Sequence, residues 1–225
     1  MLMYQKACVS VLPDPSTGEN YAIRLAARNG HAEIVKYLLT QERVDPGANY
    51  NYAINKAASK GHVDVVKLLL TNSRVNPGNC AIQKAASNGH VDVVKLLLAD
   101  SRLDPSANDN YAIEMAAANG HVEVVKLFLA DSRVGRSVRT IYAIKNAACN
   151  GHVEVVKLFL ADSRVHPSLK ENYAIRTAAE NGHVEVVKIL LADSRVDPRA
   201  IHNYAIRSAA ASGHVEVVKL LLADS

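Results

Sequence analysis

The dipeptide Gly-His occurs seven times along the chain, and its spacing constrains the fold more than any other feature. The pairs begin at Gly30, Gly61, Gly89, Gly120, Gly151, Gly182 and Gly213, so successive pairs are 31, 28, 31, 31, 31 and 31 residues apart. A fixed period of this length is typical of a solenoid, in which one supersecondary unit stacks on the next. We therefore expect one continuous array of about seven repeats over residues 1–225.

Each repeat contains two helical patterns. In the fourth repeat Ile113, Ala116 and Ala117 fall on one face of a first helix, and Gly120 follows in the left-handed position that ends a helix. A second helix is expected over residues 122–130, and its apolar sides must be covered by neighbouring repeats. The common loop D-S-R-V-D-P then ends the helix at its proline. The pattern predicts an all-α solenoid of helix–turn–helix units with short projecting loops.

An asparagine precedes the first helix in six repeats and is predicted to be its N-cap, because an Asn side chain accepts a hydrogen bond from an unpaired backbone N–H. These residues are Asn20, Asn51, Asn79, Asn110, Asn172 and Asn203. The third repeat is three residues shorter, and Pro77-Gly78-Asn79 replaces the longer loop of the second repeat. Both of its helical patterns survive, so the helices are expected to carry the stacking.

Composition excludes several classes of protein. Apolar residues make up 49% and charged residues 21% of the chain, which is typical of a folded protein. The net charge of +4 does not by itself indicate nucleic acid or an anionic membrane. The three cysteines are scattered and form no CxxC motif, and residues 1–13 lack a secretory signal. We expect an intracellular, cytoplasmic protein that does not cross a membrane.

The string A-A-x-x-G-H-V-E-V-V-K-L-L-L, which recurs across nearly the whole chain, resembles the ankyrin repeat. The resemblance implies an ankyrin-type α-solenoid of L-shaped units that binds partners on a concave surface of loop tips and first helices. The family's Thr-Pro-Leu-His opening is here Tyr-Ala-Ile-x, as in Tyr173-Ala174-Ile175-Arg176. The family's finger becomes Ser-Arg-Val-Asp-Pro-Ser, so short turns are expected in place of β-hairpins. Such near-identical units are similar to arrays of protists and large DNA viruses, and a viral source would place the chain in the host cytoplasm or nucleus.

The seven histidines invite a catalytic or metal-binding interpretation, which their spacing disfavours. Metal ligands must converge on one ion, whereas one repeat separates each of these histidines from the next. A Ser-His-Asp triad needs one special constellation, not a row of equal copies. We predict no catalytic residues, no cofactor, no metal and no small-molecule substrate, and a structural role for each histidine at the start of a second helix.

Function is expected where the repeats differ. Apolar and basic residues replace the usual Asn, Asp and Gly in repeats five to seven, and they predict one basic strip that binds an acidic protein or peptide. The candidate partner-binding residues are Arg136, Val138, Arg139, Lys145, Leu169, Lys170, Arg176, Arg199, Ile201, His202 and Arg207. The leading prediction is a non-enzymatic protein–protein interaction scaffold.

Two other functions are weighed against the scaffold. An adaptor that recruits targets to a larger complex, such as a ubiquitin ligase, would need an attached motif, and none is visible. A nucleic-acid-binding module would use the same basic strip. It is disfavoured because the tyrosines open helices that we expect to be buried, so no aromatic rings lie between the cations to stack bases.

The ends of the array carry a further expectation. Residues 1–19 are expected to form an N-terminal partial repeat or cap. The last repeat is as apolar as the internal ones, whereas solenoids place polar faces on their terminal repeats. Either the chain is part of a longer array, or this end associates with another subunit or partner, including end-to-end self-association.

Overall fold

The structure, a computed structural model, describes residues 14–134 and 138–224. For residues 138–140 it describes only the helical backbone. The described residues form helices joined by turns, with no strand and no β-hairpin. The first helices of repeats one to seven are α1 Thr17–Arg28, α3 Ala48–Lys60, α5 Gly78–Ser87, α7 Ala107–Ala118, α9 Val138–Cys149, α11 Leu169–Glu180 and α13 Ala200–Ala211. The second helices are α2 Ala32–Leu39, α4 Val63–Leu70, α6 Val91–Leu98, α8 Val122–Ala130, α10 Val153–Ala161, α12 Val184–Leu191 and α14 Val215–Ala223. The all-α fold is confirmed.

The repeats stack in chain order. Each first helix packs on the next first helix, each second helix on the next second helix, and the two helices of a repeat on each other. In repeat four the paired alanines Ala116 and Ala117 are fully buried, and so are Val125 and Phe128 of the second helix. The alanines permit the close approach of first helices, while each fully buried Val or Leu of the second helices contributes about 1.5–3 kcal/mol. The core is therefore one continuous layer along the array.

The turn between the two helices of a repeat ends the first helix on its glycine, as predicted. In repeat four Gly120 has a φ of 73°, and the backbone N–H of His121 donates to the carbonyl of Ala116 at 2.9 Å. The N–H of Gly120 donates to the carbonyl of Ala117 at 3.2 Å. These two bonds form a Schellman motif, which satisfies carbonyls at the helix end that would otherwise lack partners.

The start of the first helix differs from the prediction. In five repeats three consecutive residues adopt left-handed φ and ψ, so that regular helix begins only at the tyrosine that follows them. Asn20 and Asn172 occupy the last of these three positions, and neither caps its own helix. Their Oδ1 atoms accept the backbone N–H groups of Asp45 and Asp197, each at 2.8 Å, in the loop of the following repeat. The N-cap prediction is wrong for these two residues, because the side chain bridges two repeats.

The shortened third repeat lacks most of the left-handed turn. Helix α5 follows Pro77 directly, and only Gly78 retains a positive φ, of 55°. The missing three residues thus remove most of the turn, while α5 and α6 keep the packing of the other repeats. The prediction that the helices carry the stacking is confirmed.

Candidate partner-binding surface

The histidines of the Gly-His pairs lie between repeats and not around a common centre. The ring of His152 covers Gly120 of the preceding repeat, and its Nε2–H donates to the carbonyl of Ala118 at 3.0 Å. A Cβ atom on Gly120 would lie 2.7 Å from the Nδ1 atom of His152, closer than packing permits. Glycine is therefore required here both by its left-handed φ and by the histidine ring. The structural role predicted for the histidines is confirmed for six of the seven, namely His62, His90, His121, His152, His183 and His214.

An arginine in five of the loops forms a second bridge between repeats, which sequence reasoning missed. The guanidinium of Arg164 donates to the carbonyls of Val134 and Leu129 in the preceding repeat, at 3.0 and 2.5 Å. It also donates to the carboxylate of Asp162, two residues earlier, at 2.6 Å. Arg102, Arg133 and Arg195 repeat this arrangement with Asp100, Asp131 and Asp193. The recurring D-S-R string therefore carries an inter-repeat contact in addition to its turn.

The aspartates of these bridges have shifted pKa values. Hydrogen bonds from the Arg164 guanidinium lower the pKa of Asp162 below its ordinary value, while burial opposes the shift. The same hydrogen bonds raise the pKa of Arg164. In repeat two, Asn72 takes the place of the aspartate, and Arg74 makes its backbone bonds to Val44 and Leu39 without a carboxylate partner at this position.

The tyrosines that open the first helices are not buried, and this part of the prediction is wrong. Tyr52, Tyr111, Tyr142, Tyr173 and Tyr204 are half-buried, and Tyr21 is exposed. The rings of Tyr52 and Tyr173 each lie between a cation of the same repeat and one of the preceding repeat. The Arg176 guanidinium lies 5.2 Å from the centroid of the Tyr173 ring and 5.1 Å from that of Tyr204. Because a helix has 3.6 residues per turn, residues three apart share its outward side, which the sequence pattern alone could have indicated.

Two such series of stacked side chains lie along the first helices. The C-terminal ladder consists of Lys145, Tyr173, Arg176 and Tyr204, with cation-to-centroid distances of 5.0–5.2 Å. The N-terminal ladder consists of Tyr21, Arg24, Tyr52 and Lys56, with distances of 5.3–5.5 Å. Between them repeat three has Cys80 in place of the tyrosine, and repeat four has the buried Glu114 in place of the cation.

The predicted site residues that the structure describes lie on the first helices of repeats five to seven and at the turns before them. Lys145, Arg176 and Arg207 occupy the same position in consecutive first helices, although the Arg176 side chain is only 14% exposed between its tyrosines. Leu169 and Lys170 lie at the start of α11, and Arg199, Ile201 and His202 at the start of α13; all five are exposed. Arg136 lies outside the described residues, as do the side chains of Val138 and Arg139.

Ile201 is held in a conformation that its side chain disfavours. It begins the left-handed turn of repeat seven with φ 52° and ψ 57°, where repeats one, two and four have Gly18, Asn49 and Asn108. A left-handed conformation costs a residue with a Cβ about 1–2 kcal/mol, and branching at Cβ adds to the crowding. The Ile201 side chain is nevertheless 37% exposed. Packing within the chain therefore does not account for an isoleucine at this position.

The repeated bridges and the helix pairs agree with the comparison to known families. A family model described as ankyrin repeats (3 copies) matches residues 4–78, 23–109, 57–140 and 144–225. The chain belongs to the ankyrin repeat family. Ankyrin repeats are generally protein–protein interaction modules, and the family is typically non-enzymatic. No curated protein matches the chain at a significant level.

Charge is distributed unevenly over this ankyrin array. From the tyrosine or its equivalent to the residue before glycine, the first helices carry eight basic residues and two acidic ones, a net +6; the basic ones are Arg24, Arg28, Lys56, Lys60, Lys84, Lys145, Arg176 and Arg207, and the acidic ones Glu114 and Glu180. Each second helix carries one acidic and one basic residue three positions apart. Five of these pairs form salt bridges of 2.7–3.2 Å, for example between Glu123 and Lys126. The net positive charge of the array therefore lies on the first-helix surface.

Two other kinds of site were sought in this ankyrin array. Among the described residues no three His, Cys, Asp or Glu side chains come together as a metal site. The longest described helix has 13 residues, and none of the described helices qualifies as a membrane span.

Sequence reasoning missed the basic residues of repeats one to three, because it judged these repeats by their nearly neutral loops and the basic residues lie on helices. Arg28 and Lys60 are exposed on α1 and α3, and the neighbouring Tyr50 is 93% exposed. The signal was present in the sequence, because these residues are basic or aromatic at positions where other repeats have small or polar ones.

Proposed function

We propose that this ankyrin array is a non-enzymatic scaffold that binds an acidic protein partner on the concave surface formed by its loop tips and first helices. Repeats five to seven carry the contact, through Leu169, Lys170, Arg199, Ile201 and His202 at the turns and through Lys145 and Arg207 on the helices. Arg136, Val138 and Arg139 extend the contact into the loop of repeat five. Arg176, which lies between the rings of Tyr173 and Tyr204, holds these two side chains in place within the surface.

The exposed aliphatic side chains at the left-handed turns support this proposal most directly. Leu169 and Ile201 are 42% and 37% exposed; Ile201 begins the turn of repeat seven, and Leu169 directly precedes Lys170, which begins the turn of repeat six. An isoleucine in a left-handed conformation reduces stability with only partial burial in return, and such local strain is typical of binding sites. Exposed apolar side chains rimmed by charged ones are the composition of a protein interface.

The surrounding charges favour an acidic partner. Lys170, Arg207 and His202 are exposed beside the two aliphatic residues. Arg199 reaches Asp197 at 3.6 Å, but its side chain remains largely exposed, so this pair contributes little to stability. Charges of one sign around an apolar centre increase the association rate with an oppositely charged partner.

The test is affinity capture from the native host with the full chain as bait, followed by mass spectrometry. A bait in which Arg139, Lys170 and Arg199 are changed to glutamate is expected to lose the partner, and Ile201→Asn is expected to weaken its capture without loss of fold. Lys126→Glu, which reverses a charge on a second helix, is the matched control. If the triple variant retains every partner of the unaltered chain, the proposed surface is wrong.

Self-association through repeat seven is a second proposal, supported by the exposed side of that repeat. Val215 and Leu222 of α14 are exposed, and no atom lies within 4 Å of a Cβ placed on Gly213, where a histidine ring covers each glycine of the earlier Gly-His pairs. Light scattering over a range of protein concentrations tests it. A mass that stays monomeric at the highest concentration contradicts the proposal.

A further inference from the structure

The outward sides of the first three first helices carry a second group of basic residues, apart from the proposed protein-binding surface. Arg24 and Arg28 lie four residues apart on α1, and Lys56 and Lys60 lie four apart on α3. Residues at this spacing share one side of a helix. Lys84 continues the group on α5. The three helices contain one acidic residue, Glu19, so their net charge is +4.

These five cations have no acidic partners among the described residues, in contrast to the paired cations of the second helices and of the aspartate bridges. None of them lies within 4 Å of an acidic side chain of residues 14–134 or 138–224, whereas Lys126 pairs with Glu123 at 2.7 Å and Arg133 with Asp131 at 2.6 Å. Arg24 contacts the rings of Tyr21 and Tyr52 and donates to the carbonyl of Gly18 at 3.1 Å. A group of cations without counter-charges attracts a polyanion.

Exposed tyrosine rings accompany these cations. Tyr50 is 93% exposed and lies in the left-handed turn before α3, with φ 55° and ψ 46°. Repeats one, four, six and seven have Glu19, Asp109, Glu171 and His202 at this position. The side chain of Asn55 on α3 donates to the carbonyl of Tyr50 at 2.9 Å and ties the turn to the helix beside Lys56. The turn can therefore form without an aromatic residue at this position, and the Tyr50 ring contributes little to the core.

We infer that the surface formed by Arg24, Arg28, Lys56, Lys60, Lys84, Tyr21 and Tyr50, here called the N-terminal surface, binds single-stranded nucleic acid. Arg28 and Lys60 are exposed, and Arg24, Lys56 and Lys84 are half-buried. These cations neutralise phosphates, and the exposed rings of Tyr21 and Tyr50 stack with unpaired bases. An acidic peptide would use the cations but has no planar groups for the two rings. A duplex would present phosphates but keeps its bases stacked on one another.

Nucleic acid was disfavoured from the sequence because the tyrosines were expected to be buried, and that expectation is wrong. The ring of Tyr52 does lie between the cations of Arg24 and Lys56, and the rings of Tyr21 in repeat one and Tyr50 in repeat two are exposed. The inference is independent of the acidic protein partner proposed for repeats five to seven, because the two surfaces share no residue.

Fluorescence anisotropy with a labelled oligo-dT of about 20 nucleotides tests the inference on the full chain. Neutralising three to five phosphates predicts that log K falls against log salt with a slope of about −2 to −3.5. Arg28→Glu with Lys60→Glu is expected to weaken binding by at least about tenfold. Tyr50→Asn is expected to weaken it about tenfold, and asparagine suits the left-handed turn, so the fold should persist.

Two matched controls test whether any reversed charge, or the loss of any exposed tyrosine, weakens oligo-dT binding. Lys126→Glu reverses a cation on a second helix, and Tyr37→Ala removes a tyrosine that is 67% exposed on α2. Both are expected to change oligo-dT affinity less than about twofold, since surface changes elsewhere add little. Circular dichroism of every variant checks that helix content is retained.

The inference is overturned by any of three results: no binding of oligo-dT at low salt, equal affinity for an oligo-dT/oligo-dA duplex, or unchanged affinity of Tyr50→Asn. A stronger affinity for a polyglutamate peptide than for oligo-dT would also overturn it and assign the N-terminal surface to an acidic protein. Lys170→Glu with Arg199→Glu should leave oligo-dT binding unchanged, so failure here and failure of the protein-binding proposal are distinguishable.

Discussion

Arg24 of repeat one and Arg176 of repeat six occupy the same helical position, and each guanidinium lies between two tyrosine rings at 5.1–5.5 Å. What surrounds the two sandwiches differs. Arg24 has no acidic partner among the described residues, and the neighbouring repeat carries the exposed ring of Tyr50, whereas Arg176 lies 3.8 Å from Glu171 and its own and the following repeat carry the aliphatic residues Leu169 and Ile201. The array thus repeats one scaffold and varies the ligand chemistry along it, which is how a solenoid obtains separate binding surfaces.

If both regions are built on the same scaffold, the same glycine substitution should cost the same stability in each. These substitutions have the largest expected effect. Gly61→Ala in repeat two and Gly151→Ala in repeat five should each destabilise the protein by about 3 kcal/mol, from the left-handed φ and the clash with the next histidine ring. A Cβ atom would lie 2.7 and 2.8 Å from the respective Nδ1 atoms. Urea unfolding measures the effect.

Gly213→Ala is the matched control for these two variants. Its φ of 76° matches theirs, but no atom lies within 4 Å of the added Cβ. It should therefore cost only the conformational part, about 1–2 kcal/mol. Equal losses at Gly213 and Gly151 would show that the histidine ring does not constrain the glycine.

The arginine bridges distinguish the two regions by pH. Asp162→Asn should destabilise the protein at pH 7 by about 1–2 kcal/mol, because it removes a charge-assisted hydrogen bond. The pKa of Asp162 is lowered in the folded protein, so its contribution is present above the unfolded value of about 4 and is lost as the pH falls through the lower folded value. Urea midpoints of the protein and the variant should therefore converge at acid pH.

Repeat two provides the reverse experiment. Asn72 stands where the later repeats have aspartate, so Asn72→Asp should stabilise the protein at pH 7 by up to about 1 kcal/mol and add acid sensitivity. If the stability of Asn72→Asp shows no additional dependence on pH, the carboxylate is not what distinguishes the later bridges from that of Arg74.

Ile201→Asn should separate stability from binding in the C-terminal region. Asparagine occupies the same position in repeats two and four and tolerates left-handed φ, so the variant should be more stable by about 1 kcal/mol while its partner affinity falls. Thermal unfolding measures the first quantity, and capture of the protein partner measures the second. A destabilised variant would contradict the view that Ile201 is retained for a partner.

The smallest effect concerns the shared ladders. Arg24→Gln and Arg176→Gln should each reduce stability by about 0.5–1 kcal/mol, since each loses the attraction between a guanidinium and two aromatic rings. The two losses should be similar in urea unfolding, because the ring distances are similar. A loss at one site alone would show that the ladders are not equivalent parts of the scaffold.

Much of the fold could be predicted because the pattern repeats. The apolar spacing and Gly120 predicted both helices and the turn between them, and these features depend on neighbouring residues only. The role of Asn172 could not be predicted locally, since its hydrogen-bond partner, the N–H of Asp197, belongs to the next repeat. The same holds for Arg164, whose acceptors lie 30 and 35 residues earlier.

The candidate surface was predicted only in part. Looking for exceptions among the loops identified Leu169 and Ile201, which the structure leaves exposed. It overlooked Arg28, Lys60 and Tyr50, because exposure on a helix depends on how the helices pack. The tyrosines were wrongly expected to be buried, because an aromatic residue at the start of an apolar helix can face either the core or the solvent.

The sequence by itself determined the period, the two helices of each repeat, the glycine that ends the first of them and membership in the ankyrin repeat family, because these follow from local spacing. Only the tertiary structure decided which side of each first helix faces outward, that tyrosines and cations of neighbouring repeats stack there, and that histidine, arginine and asparagine connect one repeat to the next. Those contacts join residues about one repeat apart, and stacking alone brings such residues together.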